Sequence, residues 1–341
     1  MKKKDKFISK DKEIKINNVI IEDIEDIDHL DTTHKNTVKT AKKPLENREQ
    51  TQKSNLNLEK ARVVEVKTNY TYKILLPNKE TKAQELKNCI LGGRLKYLEH
   101  STRNPVCIGD FVQVDTSSSD MYRIEEICQR QNCISRYVGK LKQHVAIAAN
   151  IDQMVIVVSV ADPAFNAALI DRYLCAAKIA HIPSLICVNK VDLCHDLTAV
   201  KQECAFYENL GIKVIFLSAT TNVGIDILRE LLKDKETVFT GHSGTGKSSI
   251  INAIEPTLNQ KVQKTSYANK KGTHTTSNSK ALLWSFGGFL IDTPGIKTLG
   301  LKRADLSALP TTFPGFAEFA SSCAFADCTH THESLCNIKE N

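Results

Sequence analysis

The sequence predicts an α/β domain on a parallel sheet, with its nucleotide-binding motifs in permuted order. A five-stranded β-barrel of the oligonucleotide-binding (OB) type precedes it and a small metal-binding segment follows. Three observations carry the prediction. Beyond residue 150, apolar strands alternate with helical patterns, as in a parallel sheet covered on both faces. Asn189-Lys190-Val191-Asp192 lies upstream of Gly241-His242-Ser243-Gly244-Thr245-Gly246-Lys247-Ser248, the reverse of the customary order of a base-reading and a phosphate-binding motif. Between residues 61 and 136, five short β-branched runs are separated by turn-like stretches.

Bulk properties set the class. With 341 residues and 41% hydrophobic content, the chain has room for two domains plus tails around a buried core. No apolar run approaches the roughly 18 residues of a membrane span, and Met1-Lys2-Lys3-Lys4-Asp5-Lys6 does not lead into a signal-peptide segment, so a cytoplasmic protein without membrane contact is expected. The cysteines number 11, and most sit singly in apolar context, as Cys175 and Cys187 do, which reads as reduced core thiols. A net charge of +7 permits contact with nucleic acid without requiring it.

Taken in order, residues 1–58 mix Lys with Asp and Glu and lack a sustained apolar period, the composition of a disordered extension. Its acidic-apolar stretch at 19–30 reads as solvated tail, with a short docking helix as the alternative. Barrel strands are expected at 63–66, 70–76, 89–95, 110–114 and 122–127. Lys87, Arg94, Lys96, Arg103 and Arg123 would form either a basic RNA-facing surface or the solvated side of the barrel. Sheet strands of the α/β domain are expected at 154–160, 184–188, 213–217, 238–240 and 289–291, which sets the motifs just after strand C-termini, where such sheets bind ligands.

The residue types at those positions suit a magnesium–guanine nucleotide. Gly241, His242, Ser243, Gly244, Thr245 and Gly246 follow an apolar strand and open a helix at 248–254, so their backbone N–H groups can wrap phosphates at a helix N-terminus, with Ser248 and Ser249 in its first turn. Lys247 would neutralise the β- and γ-phosphates and Ser248 would ligate magnesium. Asp292-Thr293-Pro294-Gly295 follows a strand, which suits Asp292 to hold magnesium through water and Gly295 to offer an N–H to the γ-phosphate. Asp192 presents a carboxylate to the two N–H donors on guanine's Watson–Crick edge, a pair that adenine lacks. Asn189 would brace neighbouring loops, Lys190 would stack along the base, and the Ser218-Ala219-Thr220 turn would offer an N–H to guanine O6. Between these motifs, Lys270-Lys271-Gly272-Thr273-His274-Thr275-Thr276 reads as a mobile switch in which Thr275 or Thr276 senses the metal. Ile296 stands where many GTPases carry a water-orienting glutamine, so hydrolysis would be slow unaided, and His274 is the candidate catalytic group, with a structural or RNA-facing role as its alternative.

Near the C-terminus, Cys323, Cys328, His330 and Cys336 gather three thiols and an imidazole in one polar segment, the donor set of a closed structural zinc site, with His332 as a rival ligand.

This combination resembles the RsgA/YjeQ-type ribosome small-subunit-dependent GTPases. The resemblance extends from about Ala61 to Cys336 and includes Gly93-Arg94-Leu95, Ala149-Asn150-Ile151-Asp152-Gln153 and Ile170-Asp171-Arg172-Tyr173-Leu174 besides the nucleotide, switch and metal motifs. It implies an OB-fold RNA-binding domain at 59–136, a circularly permuted P-loop GTPase domain at 137–300 and a zinc domain at 301–341. It also implies a late-stage maturation factor that binds rRNA. Its hydrolysis of GTP to GDP would be stimulated by the small (30S) subunit, with magnesium as cofactor and one structural zinc per monomeric chain. The permutation sets the second switch beside the zinc domain, so nucleotide state could move that domain directly. Two departures stand out: the long N-terminal extension, and a chain that stops five residues after Cys336, which would reduce C-terminal ribosome contacts. Thr273 also replaces a basic residue common in relatives, which would weaken a phosphate contact. The competing readings are a nucleotide-gated RNA-binding module whose hydrolysis is incidental, and a GTPase serving a non-ribosomal RNA.

Overall fold

The structure, a computed structural model, describes residues 56–67, 70–77, 84–93, 95, 105–118, 121–138, 143–258, 279–292, 312–320, 322–325, 328–330 and 332–340. The extension up to residue 55, the cations Arg94, Lys96 and Arg103, and the switch with His274, Thr275 and Thr276 lie outside the described residues, as do Gly295 and Ile296.

Five strands close the barrel: β1 (Leu58–Val66), β2 (Thr71–Pro77), β3 (Gln84–Leu91), β4 (Phe111–Asp115) and β5 (Tyr122–Ile127). They pair in the circular order β1-β2-β3-β5-β4-β1, antiparallel throughout except for β3 with β5, which is the topology of an OB fold. Alternating side chains from these strands, among them Val63, Tyr72, Ile74, Cys89, Val112 and Ile124, fill the interior. The third strand differs from expectation: it begins at Gln84 and ends at Leu91, just ahead of Gly92, where a β-carbon would sit 2.7 Å from the Ile124 carbonyl oxygen.

A hairpin of β6 (Cys133–Val138) and β7 (Gln143–Ala149) follows, unanticipated from sequence, and β6 runs across the boundary drawn at 136/137. The α/β sheet then has the order β10-β9-β8-β11-β13-β12, from β8 (Gln153–Ser159), β9 (Ser184–Asn189), β10 (Lys213–Phe216), β11 (Glu236–Thr240), β12 (Ser279–Leu283) and β13 (Phe289–Asp292). All but β12 run parallel. Every residue of the central β8 is buried, with Met154, Ile156 and Val158 facing one layer and Val155 and Val157 the other. The first layer is α1 (Ala167–Ile179) and α2 (Thr198–Asn209), which bury Ile170, Tyr173, Cys204 and Tyr207. The second is α3 (Ile225–Leu232) and α4 (Lys247–Ile254), which bury Leu228, Leu232, Ile250 and Ile254. Two short helices, α5 (Phe316–Ala320) and α6 (Asn337–Glu340), flank the C-terminal cysteines.

Barrel and α/β domain share one eleven-stranded sheet, because the end of β1 pairs with β12 through Glu65–Lys280 and Val66–Ser279. Charges reinforce the junction. Arg62 on β1 forms an ion pair with Glu236 at the start of β11 and donates to the Asn150 carbonyl at 3.0 Å. Arg130 makes a two-pronged contact with the fully buried Asp110, at 2.7 and 2.8 Å. Among the described residues, no helix is long and apolar enough to cross a membrane.

Candidate functional site

Three neighbouring parallel strands, β9, β8 and β11, end on the same side of the sheet, and the loops leaving them meet there. The phosphate-loop sequence leaves β11. Its first residue, Gly241, has φ of 141°, and a β-carbon there would lie 2.2 Å from the Val157 carbonyl oxygen, so the sharp exit from the strand demands glycine. Within the loop, Thr245 is buried and its hydroxyl donates to the His242 carbonyl at 3.0 Å, while Nδ1 of the exposed His242 lies 2.9 Å from the Ser243 carbonyl. The Lys247 ammonium donates to the Gly241 and His242 carbonyls, both at 2.6 Å, which holds its charge over the loop. Ser248 and Ser249 are exposed in the first turn of α4, where helix N–H groups and the macrodipole favour an anion.

The base-reading sequence leaves β9. Asn189 is buried to 1% exposure, and its side-chain amide joins two loops: Nδ2 donates to the Thr245 carbonyl at 2.9 Å, and Oδ1 accepts the Ala219 N–H at 3.2 Å. Lys190 takes a left-handed conformation, φ 66°, and its ammonium donates to the Asp162 carbonyl. Asp192 stands exposed in the short helical turn Val191–Leu193 that follows. The buried Ser218 shapes the turn after β10, its hydroxyl accepting the N–H groups of Thr220 and Thr221 at 3.3 and 3.1 Å. Asp292 closes β13, the strand paired in register with β11, and so stands at the end of the strand beside the one that feeds the phosphate loop.

The loop after β8 also belongs to this cluster, though sequence reasoning passed over it. Ser159, at the strand's end and 1% exposed, donates from Oγ to the Pro163 carbonyl at 2.7 Å. A β-carbon on Gly244 would touch Pro163 Cδ at 3.5 Å, so this loop lies against the phosphate loop. The available signal was a polar residue ending a central strand that is apolar from Met154 to Val158 and whose two neighbours both carry motifs.

At the C-terminus, the ligand atoms of Cys323, Cys328, His330 and Cys336 all lie within 4.8 Å of one another. His330 Nδ1 is 3.6 Å from the Cys323 sulfur and 3.4 Å from that of Cys336. His332 stays outside this group: it is 80% exposed, with Nε2 3.8 Å from a Glu333 oxygen. Burial opposes the Cys336 thiolate, yet hydrogen bonds led by that from His330 outweigh it and bring its pKa down to about 7. Three thiols and an imidazole converging from one short segment fit a tetrahedral zinc ion.

Residues 127–302 match the family model described as RsgA GTPase. The chain is similar to the small ribosomal subunit biogenesis GTPase RsgA of Chlorobaculum parvum, with 38% identity over 70% of this chain and 80% of the relative. The protein of the same description from Flavobacterium johnsoniae is 35% identical over 74% of this chain and 79% of its own. Among solved structures, YjeQ from Thermotoga maritima superposes with a TM-score of 0.65 at 29% identity, covering 83% of this chain and 90% of that one. YloQ, described as a circularly permuted GTPase, superposes at 0.61 with 26% identity over 83% and 88%.

Proposed function

We propose, since the chain belongs to the RsgA GTPase family, that it hydrolyses GTP to GDP and phosphate and uses this cycle in biogenesis of the small ribosomal subunit. The observation that carries the reading is the Asn189 side chain, which ties the loop bearing a phosphate motif to the two loops bearing a guanine motif. Strands out of the customary chain order thereby deliver both halves of one nucleotide site.

In this reading, Asp192 accepts hydrogen bonds from N1–H and the exocyclic amine of guanine, the Ala219 N–H approaches O6, and Lys190 lies along the base. Lys247 exchanges the Gly241 and His242 carbonyls for phosphate oxygens, which are better partners for an ammonium because they carry charge. Ser248 and Asp292, with Thr275 or Thr276, would hold magnesium, which would supply neutralisation of phosphate charge. Ile296 has no group able to orient water, so His274 is the candidate in the switch and the ribosomal particle is the activator. Cys323, Cys328, His330 and Cys336 hold one structural zinc. The barrel within 59–136 is the rRNA-facing part, with its boundary to the GTPase domain ahead of β6 (Cys133–Val138) and not at 136/137. The zinc domain occupies 301–341, and the protein works in the cytoplasm.

Co-sedimentation with free small subunits tests this. Binding is expected with a non-hydrolysable GTP analogue and weaker binding with GDP. Equal sedimentation in both states would remove the switch from the account.

A further inference from the structure

The loop between β8 and α1 has no part in the sequence motifs, yet it touches both of them. Val160 N–H donates to the Asn189 carbonyl at 3.1 Å, and Ser159 Oγ donates to the Pro163 carbonyl at 2.7 Å, which folds the loop back onto its own strand. Folding back turns Asp162, with φ of 45°, so that its carbonyl receives the Lys190 ammonium. On its other side the loop meets the phosphate loop, where the β-carbon of any residue replacing Gly244 would sit 3.5 Å from Pro163 Cδ and 3.9 Å from the Asp162 carbonyl oxygen.

We infer that Ser159 is a positioning residue for guanine nucleotide binding, acting through the Asp162–Pro163 turn to hold the Lys190 ammonium at the base. This rests on the functional reading above and adds to it a residue outside the customary motifs. The physical reason is one of freedom. A lysine stem has many rotamers to lose, so a lysine expected to lie along a base gains from being held there before the nucleotide arrives. A backbone carbonyl suits that task, since it attracts the ammonium without the full charge that would compete with the base. The turn that carries the Asp162 carbonyl is itself held one residue on, where the Ser159 hydroxyl donates to the Pro163 carbonyl. Ser159 is 1% exposed and its bond to the half-buried Pro163 lies partly out of water, so its loss would leave the Pro163 carbonyl without that donor.

Ser159→Ala should therefore loosen the turn and release Lys190. The expected result is GDP and GTP affinity weakened about five- to tenfold, the size of effect that one lost buried hydrogen bond produces, with KM for GTP rising more than kcat falls. A general packing defect would instead depress both and lower the melting temperature. Lys190→Ala provides the discriminating arm. If Ser159 works through Lys190, the double variant binds GDP no more weakly than Lys190→Ala alone, because residues in one chain of contacts are not additive. Asp162→Gly, which accepts φ of 45° without strain and slackens the same turn, should reproduce the Ser159→Ala phenotype should that variant fold poorly. Fluorescent GDP titration of the full chain reads the wild type and all four variants. Wild-type affinity in both Ser159→Ala and Asp162→Gly, or additive losses in the double variant, would overturn the assignment while leaving the GTPase reading intact. Failure of the wild-type chain to bind GDP at all would instead remove the reading on which it rests.

Discussion

A β-carbon on Gly246 would lie 2.2 Å from the side-chain nitrogen of Asn189. The residue that opens the phosphate-loop helix and the residue that heads the base-reading motif are thus in direct contact, 57 positions apart in a chain that presents them in reversed order. That contact has two consequences. Gly246 has φ of 90°, so it is glycine for its backbone as well as for space. The spacing between the loop after β9 and the loop after β11 is set by one amide.

Substitution at either end should uncouple the two. Gly246→Ala must displace Asn189, and Asn189→Ala leaves the buried Thr245 carbonyl and the Ala219 N–H without that partner. Each buried bond lost costs about 1–3 kcal/mol, so GDP affinity should fall about 10- to 100-fold in both. Calorimetric titration measures it; an unchanged affinity in Asn189→Ala would show that the brace is dispensable.

Asp192→Asn should change which base is read. The amide offers one donor and one acceptor where the carboxylate offers only acceptors, which mismatches guanine but suits xanthine, whose C2 carries a carbonyl oxygen in place of the amine. GTP affinity should drop on the order of 10³-fold, and xanthosine triphosphate should become the better ligand. Competition between the two nucleotides reads the outcome directly.

How far the sequence reached can be judged at particular residues. The closed barrel was legible because β1, β2, β4 and β5 carry alternating β-branched and aromatic residues. The α/β sheet was legible because β8 is apolar along nearly its whole length. That Asn189 and the phosphate-loop sequence both follow strand ends, and so share one side of the sheet, was legible; the bond from Asn189 to the Thr245 carbonyl was not. Other features were out of reach. The start of β3, Gln84-Glu85-Leu86-Lys87, and the whole of β12, Ser279-Lys280-Ala281-Leu282-Leu283, are built largely of residues without strand preference. They are strands because distant segments offer hydrogen bonds, β2 to the start of β3, and β13 with the end of β1 to β12, a tertiary effect that no local window contains. The β6–β7 hairpin lacked a two-residue turn signal. Ser159 belongs to no motif; its place at the end of β8 marks it, but its contact with the Pro163 carbonyl shows only in the fold.

The C-terminal cluster predicts a metal content. Purified protein should carry one zinc per chain, and Cys336→Ser, which removes the most buried of the four ligands, should lose it. Amide exchange should then quicken across residues 316–340, since so short a segment has little apolar core of its own. GDP binding should persist, because the nucleotide site lies on a different set of elements. Mass spectrometry of the intact variant distinguishes loss from retention of the ion.

The junction between barrel and α/β domain predicts a stability effect. The side chains of Arg62 and Glu236 are 16% and 10% exposed, so Arg62→Ala strands a carboxylate in a poorly hydrated place. Breaking such a pair should cost about 3–5 kcal/mol in urea denaturation, and removing both charges together as Arg62→Met with Glu236→Leu should recover most of it. Equal losses in the single and double variants would mean that packing, not charge, holds the junction.

The central claim, that these reordered strands build a GTPase serving the small ribosomal subunit, is tested most directly by single-turnover GTP hydrolysis with and without purified small subunits. With Ile296 in place of a water-orienting side chain, slow hydrolysis alone and acceleration of at least about 10²-fold by the particle are predicted, within the range that completed GTPase sites achieve. A rate that the particle leaves unchanged, in a chain shown to bind both GTP and the particle, would contradict it.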